Sequence, residues 1–184
     1  MQQESWLRPS SPQDHNPELQ FLLPEVEDTL RLGQLLARAV AQHGGAPGII
    51  MLQGELGAGK TTLVRGLTRA LPGGDLAQVS SPSFNILNIY PTDPEVLHLD
   101  LYRISGPEAA ESLWENLGQG HKSIVLIEWS ENLAAEDYPK HYYLLALRSQ
   151  MQGRTAFVRA FGCSLQPLWE QARQSGLIMQ AKGE

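Results

Sequence analysis

Apolar residues recur along this chain with two different periods, and the alternation between them predicts its elements. Leu19 to Leu23 is a short apolar run stopped by Pro24, the pattern of an edge strand. Between residues 25 and 43, Val26, Leu30, Gly33, Ala37 and Val40 return at three- and four-residue spacing, with Leu32, Leu35 and Leu36 widening the stripe. That period is helical, and His43-Gly44-Gly45 ends it. Gly48–Gln53 (GIIMLQ) and Ser123–Glu128 (SIVLIE) are uninterrupted, as in strands buried on both faces. Lys60 to Leu71 sets Leu63, Val64 and Leu67 on one helical face and stops at Pro72-Gly73-Gly74. Phe84–Tyr90 and Val96–Leu101 read as further strands. Pro107 to about Trp114 is a short helix with proline in its first turn and acids near its N-terminus. His141–Arg148 and Thr155–Phe161 read as an antiparallel pair joined through Met151-Gln152-Gly153, and Leu165–Ser175 as a last helix. Strands alternating with helices imply a mainly parallel sheet covered on both faces.

Composition sharpens this picture. A chain of 184 residues is long enough for one domain and its own core. Residues 1–19, with Pro9, Pro12 and Pro17 and little to bury, are expected to be a flexible tail, and 20–184 the folded domain. The single cysteine, Cys163, excludes an internal disulfide framework; it reads as a small buried apolar residue. No run approaches the length needed to span a bilayer, and the N-terminus lacks the apolar core of a signal peptide, so a cytoplasmic, membrane-free protein is expected. A net charge of −6 disfavours direct grip on nucleic acid, which needs clustered lysine and arginine. The five histidines have no paired metal spacing, and a zinc site is not expected.

The chemistry is concentrated in one turn. Gly54-Glu55-Leu56-Gly57-Ala58-Gly59-Lys60-Thr61 fits GxxxxGK[ST], and it joins an expected strand to an expected helix. Glycines let the backbone approach a phosphate closely; successive N–H groups make an anion-binding nest; the helix N-terminus adds its dipole. Lys60 reaches the β- and γ-phosphates, and the Thr61 hydroxyl is a Mg²⁺ ligand. The fold class is therefore α/β, a three-layer P-loop NTPase with a mainly parallel central sheet. A second carboxylate belongs near the metal, and two strand ends supply one, Asp100 and Glu128; general usage favours Asp100. Neither NKxD nor DxxG occurs, so nothing marks guanine specificity, and LSGGQ is absent too. Residues alone leave open a hydrolase, a kinase passing the phosphoryl group to a hydroxyl, and a nucleotide-gated binding module without turnover.

Four segments together resemble one family, the bacterial ATPase family TsaE, also called YjeE. They are Gly54–Thr62 (GELGAGKTT), Ser81-Pro82-Ser83-Phe84, His98-Leu99-Asp100-Leu101-Tyr102-Arg103 and Leu126-Ile127-Glu128-Trp129, in the family's order and spacing over about residues 22–160. The resemblance implies an ATPase that works with TsaB and TsaD in making N6-threonylcarbamoyladenosine in tRNA, with tRNA as an indirect partner through that complex. It also implies roles. Leu56, Gly57, Ala58, Gly59, Lys60, Thr61 and Thr62 hold ATP; Thr61 and Glu128, rather than Asp100, ligate Mg²⁺; Asp100 and Lys60 serve hydrolysis. Ser83 stands where the family generally has threonine in a switch-like loop, keeping the hydroxyl and losing the methyl. Trp129 is a wall of the nucleotide site or a core indole, and Arg154 a base or phosphate contact or a plain hairpin arginine. The N-terminal tail is additional to the family pattern, and Glu108–Gly118 matches its acidic helix only loosely. His98, two residues before Asp100 on the same strand face, is placed to orient that carboxylate, or is a satisfied structural histidine. Tyr102-Arg103 offers a charge to the γ-phosphate or a partner, or a surface ion pair with neighbouring acids.

Overall fold

Strands apolar on both faces need cover on both faces, and here they get it. The computed structural model describes residues 17–41, 48–117 and 123–182. In chain order the elements are β1 (Glu18–Leu23), α1 (Val26–Ala41), β2 (Gly48–Gln53), α2 (Lys60–Arg69), β3 (Leu87–Tyr90), β4 (Glu95–Asp100), α3 (Pro107–Leu117), β5 (Ser123–Glu128), β6 (Tyr142–Ser149), β7 (Arg154–Phe161), α4 (Gln166–Ser175) and β8 (Ile178–Lys182). The strands form one sheet in the order β3-β4-β5-β2-β6-β7-β1-β8. Side chains alternate between its faces. On one face Ile50, Leu52, Leu126 and Leu145 pack with Leu36, Leu63, Leu67 and Leu168 of α1, α2 and α4. On the other, Met51, Leu99, Val125 and Ile127 pack with Leu113 of α3, Ile104 and Leu133. The expected three layers are present.

The sheet is more mixed than expected. β4, β5, β2 and β6 run parallel, whereas β3–β4, β6–β7, β7–β1 and β1–β8 are antiparallel. A parallel return needs a crossover of a dozen or more residues, and the few residues between β6 and β7 permit only a hairpin. β1 is not an edge strand: β7 and β8 pair with it on either side. Pro24 lies just past its end, so the missing N–H interrupts no pairing. The Phe84–Tyr90 run is a strand only from Leu87, because Asn85 and Ile86 both donate N–H bonds to Pro82 O and close a turn. Most of the expected tail, residues 1–16, and the His43-Gly44-Gly45 stop lie outside the described residues, and β1 already begins at Glu18. No described helix is long and apolar enough to cross a membrane.

Close approach of α1 and α2 fixes where the second helix points. A Cβ on Gly66 would lie 2.1 Å from Leu30 O, so α2 is seated against the α1 backbone with no room for a side chain. Its N-terminus is thereby held at the C-terminal ends of β2 and β5, where open α/β sheets bind ligands.

Candidate active site

The loop between β2 and α2 takes a backbone path that few residues allow. Gly54 has φ 140° and Gly59 φ 104°. A Cβ on Gly54 would also meet Leu147 O at 2.5 Å. Helix α2 starts with no side-chain cap and no acid in its first turn. Helix α1 differs, carrying Glu27 and Asp28 in its first turn, with Asp28 Oδ2 accepting the Glu25 N–H at 3.0 Å. Unsatisfied N–H groups and positive partial charge are therefore concentrated at the start of α2.

Lys60 is buried and folded back on its own loop. Its Nζ donates to Gly54 O at 2.6 Å and Glu55 O at 3.1 Å, and lies 4.0 Å from the centre of the Trp129 ring. Burial lowers its pKa below the ordinary lysine value, while Glu128, Glu131, Asp100 and Glu55 act to raise it. Ala58 is buried, and its N–H donates to Glu55 O at 3.1 Å.

Two carboxylates face this loop from adjacent strand ends. Parallel pairing of β4 with β5 sets Asp100 beside Glu128. Both are almost fully buried. Glu128 Oε1 accepts the Thr61 hydroxyl at 2.8 Å and lies 2.9 Å from His98 Nε2. Of the two readings of His98, the structure supports the satisfied structural histidine: the buried imidazole reaches across to Glu128 on the neighbouring strand rather than to Asp100, and its other nitrogen lies 3.3 Å from Tyr90 Oη. Asp100 is held differently. Its Oδ2 accepts the hydroxyls of Ser81 at 2.9 Å and Ser83 at 2.6 Å, and its Oδ1 accepts the Tyr102 N–H at 2.9 Å.

Lys60, Thr61, Ser81, Ser83, Asp100 and Glu128 line one cleft of about 390 Å³, with Leu56, Gly57, Gly59, Thr62, Tyr102, Arg103 and Trp129 completing its wall. The cleft thus brings together most of the residues singled out from the sequence. Ala58 and Arg154 stand outside its lining. Arg154 packs behind the loop, where a Cβ on Gly59 would meet its Nε at 3.2 Å, and its Nη1 donates to Thr29 Oγ1. Trp129 is half-buried with a left-handed backbone (φ 59°), and its ring packs on Tyr102 at 4.9 Å. Arg103 makes no ion pair among the described residues; its guanidinium lies 4.6 Å from the centre of the Phe84 ring. Cys163 is half-buried against the core, with burial pushing its thiol pKa up.

Sequence reasoning missed Glu131. It lies on a second cleft, of about 660 Å³, on the other flank of the loop. Burial raises its carboxyl pKa, opposed by its own backbone hydrogen bond, by Lys60 and by the Gly54 backbone. Its only signal was position, two residues after the Glu-Trp pair.

The donor set at Thr61 and Glu128 suits a hard cation. Hydroxyl and carboxylate oxygens 2.8 Å apart are the ligand types Mg²⁺ accepts. No group of three or more acidic, histidine or cysteine ligands occurs among the described residues.

Comparison with known proteins agrees with the residue pattern. The family model "Threonylcarbamoyl adenosine biosynthesis protein TsaE" matches residues 23–157. A protein of Nostoc sp. named tRNA threonylcarbamoyladenosine biosynthesis protein TsaE is 36% identical over 155 residues, covering 80% of this chain and 90% of its own. Proteins of the same name from Synechocystis sp. and Aquifex aeolicus are 40% and 37% identical, covering 62% and 61% of this chain and 72% and 77% of theirs. The crystal structure of Bacillus subtilis YdiB superposes with a TM-score of 0.62 at 23% identity, over 85% of this chain and 95% of that one, which establishes a shared fold.

Proposed function

The chain belongs to the TsaE family, and on that premise we propose that it is a Mg²⁺-dependent ATPase serving tRNA threonylcarbamoyladenosine biosynthesis with TsaB and TsaD. One observation carries the reading: a single cleft joins the uncapped start of α2 and Lys60 to a hydroxyl–carboxylate pair, Thr61 and Glu128, and to a separately held acid, Asp100. The relatives' names support the pathway, and this cleft supports the chemistry proposed for it.

Residues Leu56 to Thr62 wrap the phosphates with backbone N–H groups. Lys60 exchanges the carbonyls of Gly54 and Glu55 for phosphate oxygens, a charge-assisted and stronger pairing. Thr61 and Glu128 are the residues that would hold Mg²⁺, and the ion when bound neutralises phosphate charge. Asp100, pinned by Ser81, Ser83 and the Tyr102 N–H, orients the attacking water. Trp129 walls the site, while Arg154, outside the cleft lining and bonded to Thr29, backs the loop behind Gly59. Catalysis of this type is positioning and electrostatics. With a net charge of −6, the chain leaves contact with tRNA to its partners.

The test is phosphate release from Mg-ATP by the purified chain, alone and with TsaB–TsaD, with Lys60→Ala alongside. Weak release raised by the pair and abolished in the variant is expected. Release unaffected by Lys60→Ala overturns the site. Release indifferent to the pair overturns the partnership and leaves the hydrolase.

A further inference from the structure

Two cations line the nucleotide cleft among the described residues, Lys60 and Arg103, and both rest on aromatic rings. Lys60 Nζ lies over Trp129 and the Arg103 guanidinium over Phe84. The Trp129 ring packs on Tyr102, the residue before Arg103. Lys60 has an assigned task in the reading above; Arg103 has none.

The residue before Arg103 is held by the same carboxylate that holds the opposing loop. Asp100 Oδ1 accepts the N–H of Tyr102, and Oδ2 accepts the hydroxyl of Ser83, the residue before Phe84. One buried acid thus aligns the residue next to the guanidinium with the residue next to its aromatic perch. Both perched groups reach into solvent: Phe84 is 84% exposed and Arg103 is exposed as well. An exposed cation–π contact is weak, about 0.5–1 kcal/mol, so the guanidinium is free to leave for a stronger acceptor. A phosphoryl oxygen is such an acceptor, since arginine pairs with it in a planar two-point geometry.

We infer that Arg103 is a catalytic residue supplied by the chain itself, which swings from Phe84 onto the γ-phosphoryl group. The inference rests on the ATPase reading of the same cleft. In the step it serves, the water oxygen forms a bond to Pγ. The bond from Pγ to the bridging oxygen breaks and its electron pair leaves with ADP, while the water's protons pass to inorganic phosphate and solvent. Negative charge shifts among the oxygens around Pγ, and a guanidinium there stabilises it at the moment of transfer. An arginine in this role changes turnover by about 10³–10⁵-fold in phosphoryl-transfer enzymes.

The experiment compares wild type, Arg103→Ala, Arg103→Lys and Phe84→Ala by Mg-ADP affinity, by trapping of Mg-ADP with aluminium fluoride, and by phosphate release. Arg103→Ala is expected to bind Mg-ADP within about threefold of wild type, to lose trapping, and to lose about 100-fold or more in turnover. Guanidinium ion added to this variant restores part of the turnover, and Arg103→Lys falls between. Phe84→Ala frees the guanidinium without removing it and keeps trapping, which separates a catalytic role from a merely structural one. Trapping and turnover of Arg103→Ala at wild-type level overturn the inference, as does a parallel loss of Mg-ADP affinity. A wild type that neither traps nor hydrolyses overturns the ATPase reading itself, which is a distinct result.

Discussion

Gly54 to Thr61, on one side of the cleft, are consecutive in sequence and act mostly through their backbone. Ser83, Asp100 and Glu128, on the other side, come from three separate segments and act through their side chains. The loop side is shaped by glycine torsions and by Lys60 bonding back to Gly54 and Glu55. The acidic side is shaped by strand register, with Asp100 beside Glu128, and by hydroxyls that cross from the Ser81–Ser83 segment to Asp100. The difference teaches where each flank is vulnerable. A local device fails when its backbone cannot be drawn; an assembled one fails by degrees, as each bond is lost.

The largest effect is therefore expected at Gly54. Gly54→Ala forces a side chain into φ 140° and within 2.5 Å of Leu147 O. Urea unfolding should show a loss of about 2–4 kcal/mol, with loss of nucleotide binding in what remains folded. A variant that melts and binds like wild type would show that the loop flank does not depend on this torsion.

An intermediate effect separates the two acids. Glu128→Gln is expected to weaken Mg²⁺-dependent nucleotide binding on the order of tenfold, since it removes the carboxylate beside Thr61. Asp100→Asn should leave that affinity within about threefold and depress turnover instead. Titration calorimetry with and without Mg²⁺ reads the ranking, and the reverse ranking exchanges their roles.

The smallest effect concerns one of the hydroxyls on Asp100. Ser83→Ala removes the 2.6 Å bond to Asp100 and the 2.6 Å contact with the Ser81 hydroxyl while Ser81 keeps its own bond to Asp100, so a change of about 1 kcal/mol, roughly fivefold in turnover, is expected. Ser83→Thr keeps the hydroxyl and should match wild type within about twofold. An effect of Ser83→Ala as large as that of Asp100→Asn would mean the acid works only through the loop it holds.

The same division governs how much was legible beforehand. The helices, the central strands and the three layers follow from periodicity, because 3.6- and 2-residue repeats are local consequences of burial. The phosphate loop is legible for the same reason: its spacing is its mechanism. Which strands pair is not local. β1 reads as an edge beside Pro24, yet β8, a short segment with exposed Ile178, covers it. His98 shares a strand face with Asp100 but meets Glu128, a contact that the pairing of β4 with β5 decides. Glu131 carries no motif, and only folding brings it near Lys60.

Taken by itself, the sequence determined the turn of glycines that Lys60 and Thr61 complete, the apolar runs that must be buried, and the family pattern of four short segments. Tertiary structure alone decided that Asp100 holds the Ser81–Ser83 segment, that Glu128 meets both Thr61 and His98, and that Arg103 rests on Phe84 at the mouth of the cleft. The physical reason is range: torsions and periodicity act between near neighbours in the chain, whereas hydrogen bonds and ring contacts act between near neighbours in space, and only folding makes those two sets of neighbours meet.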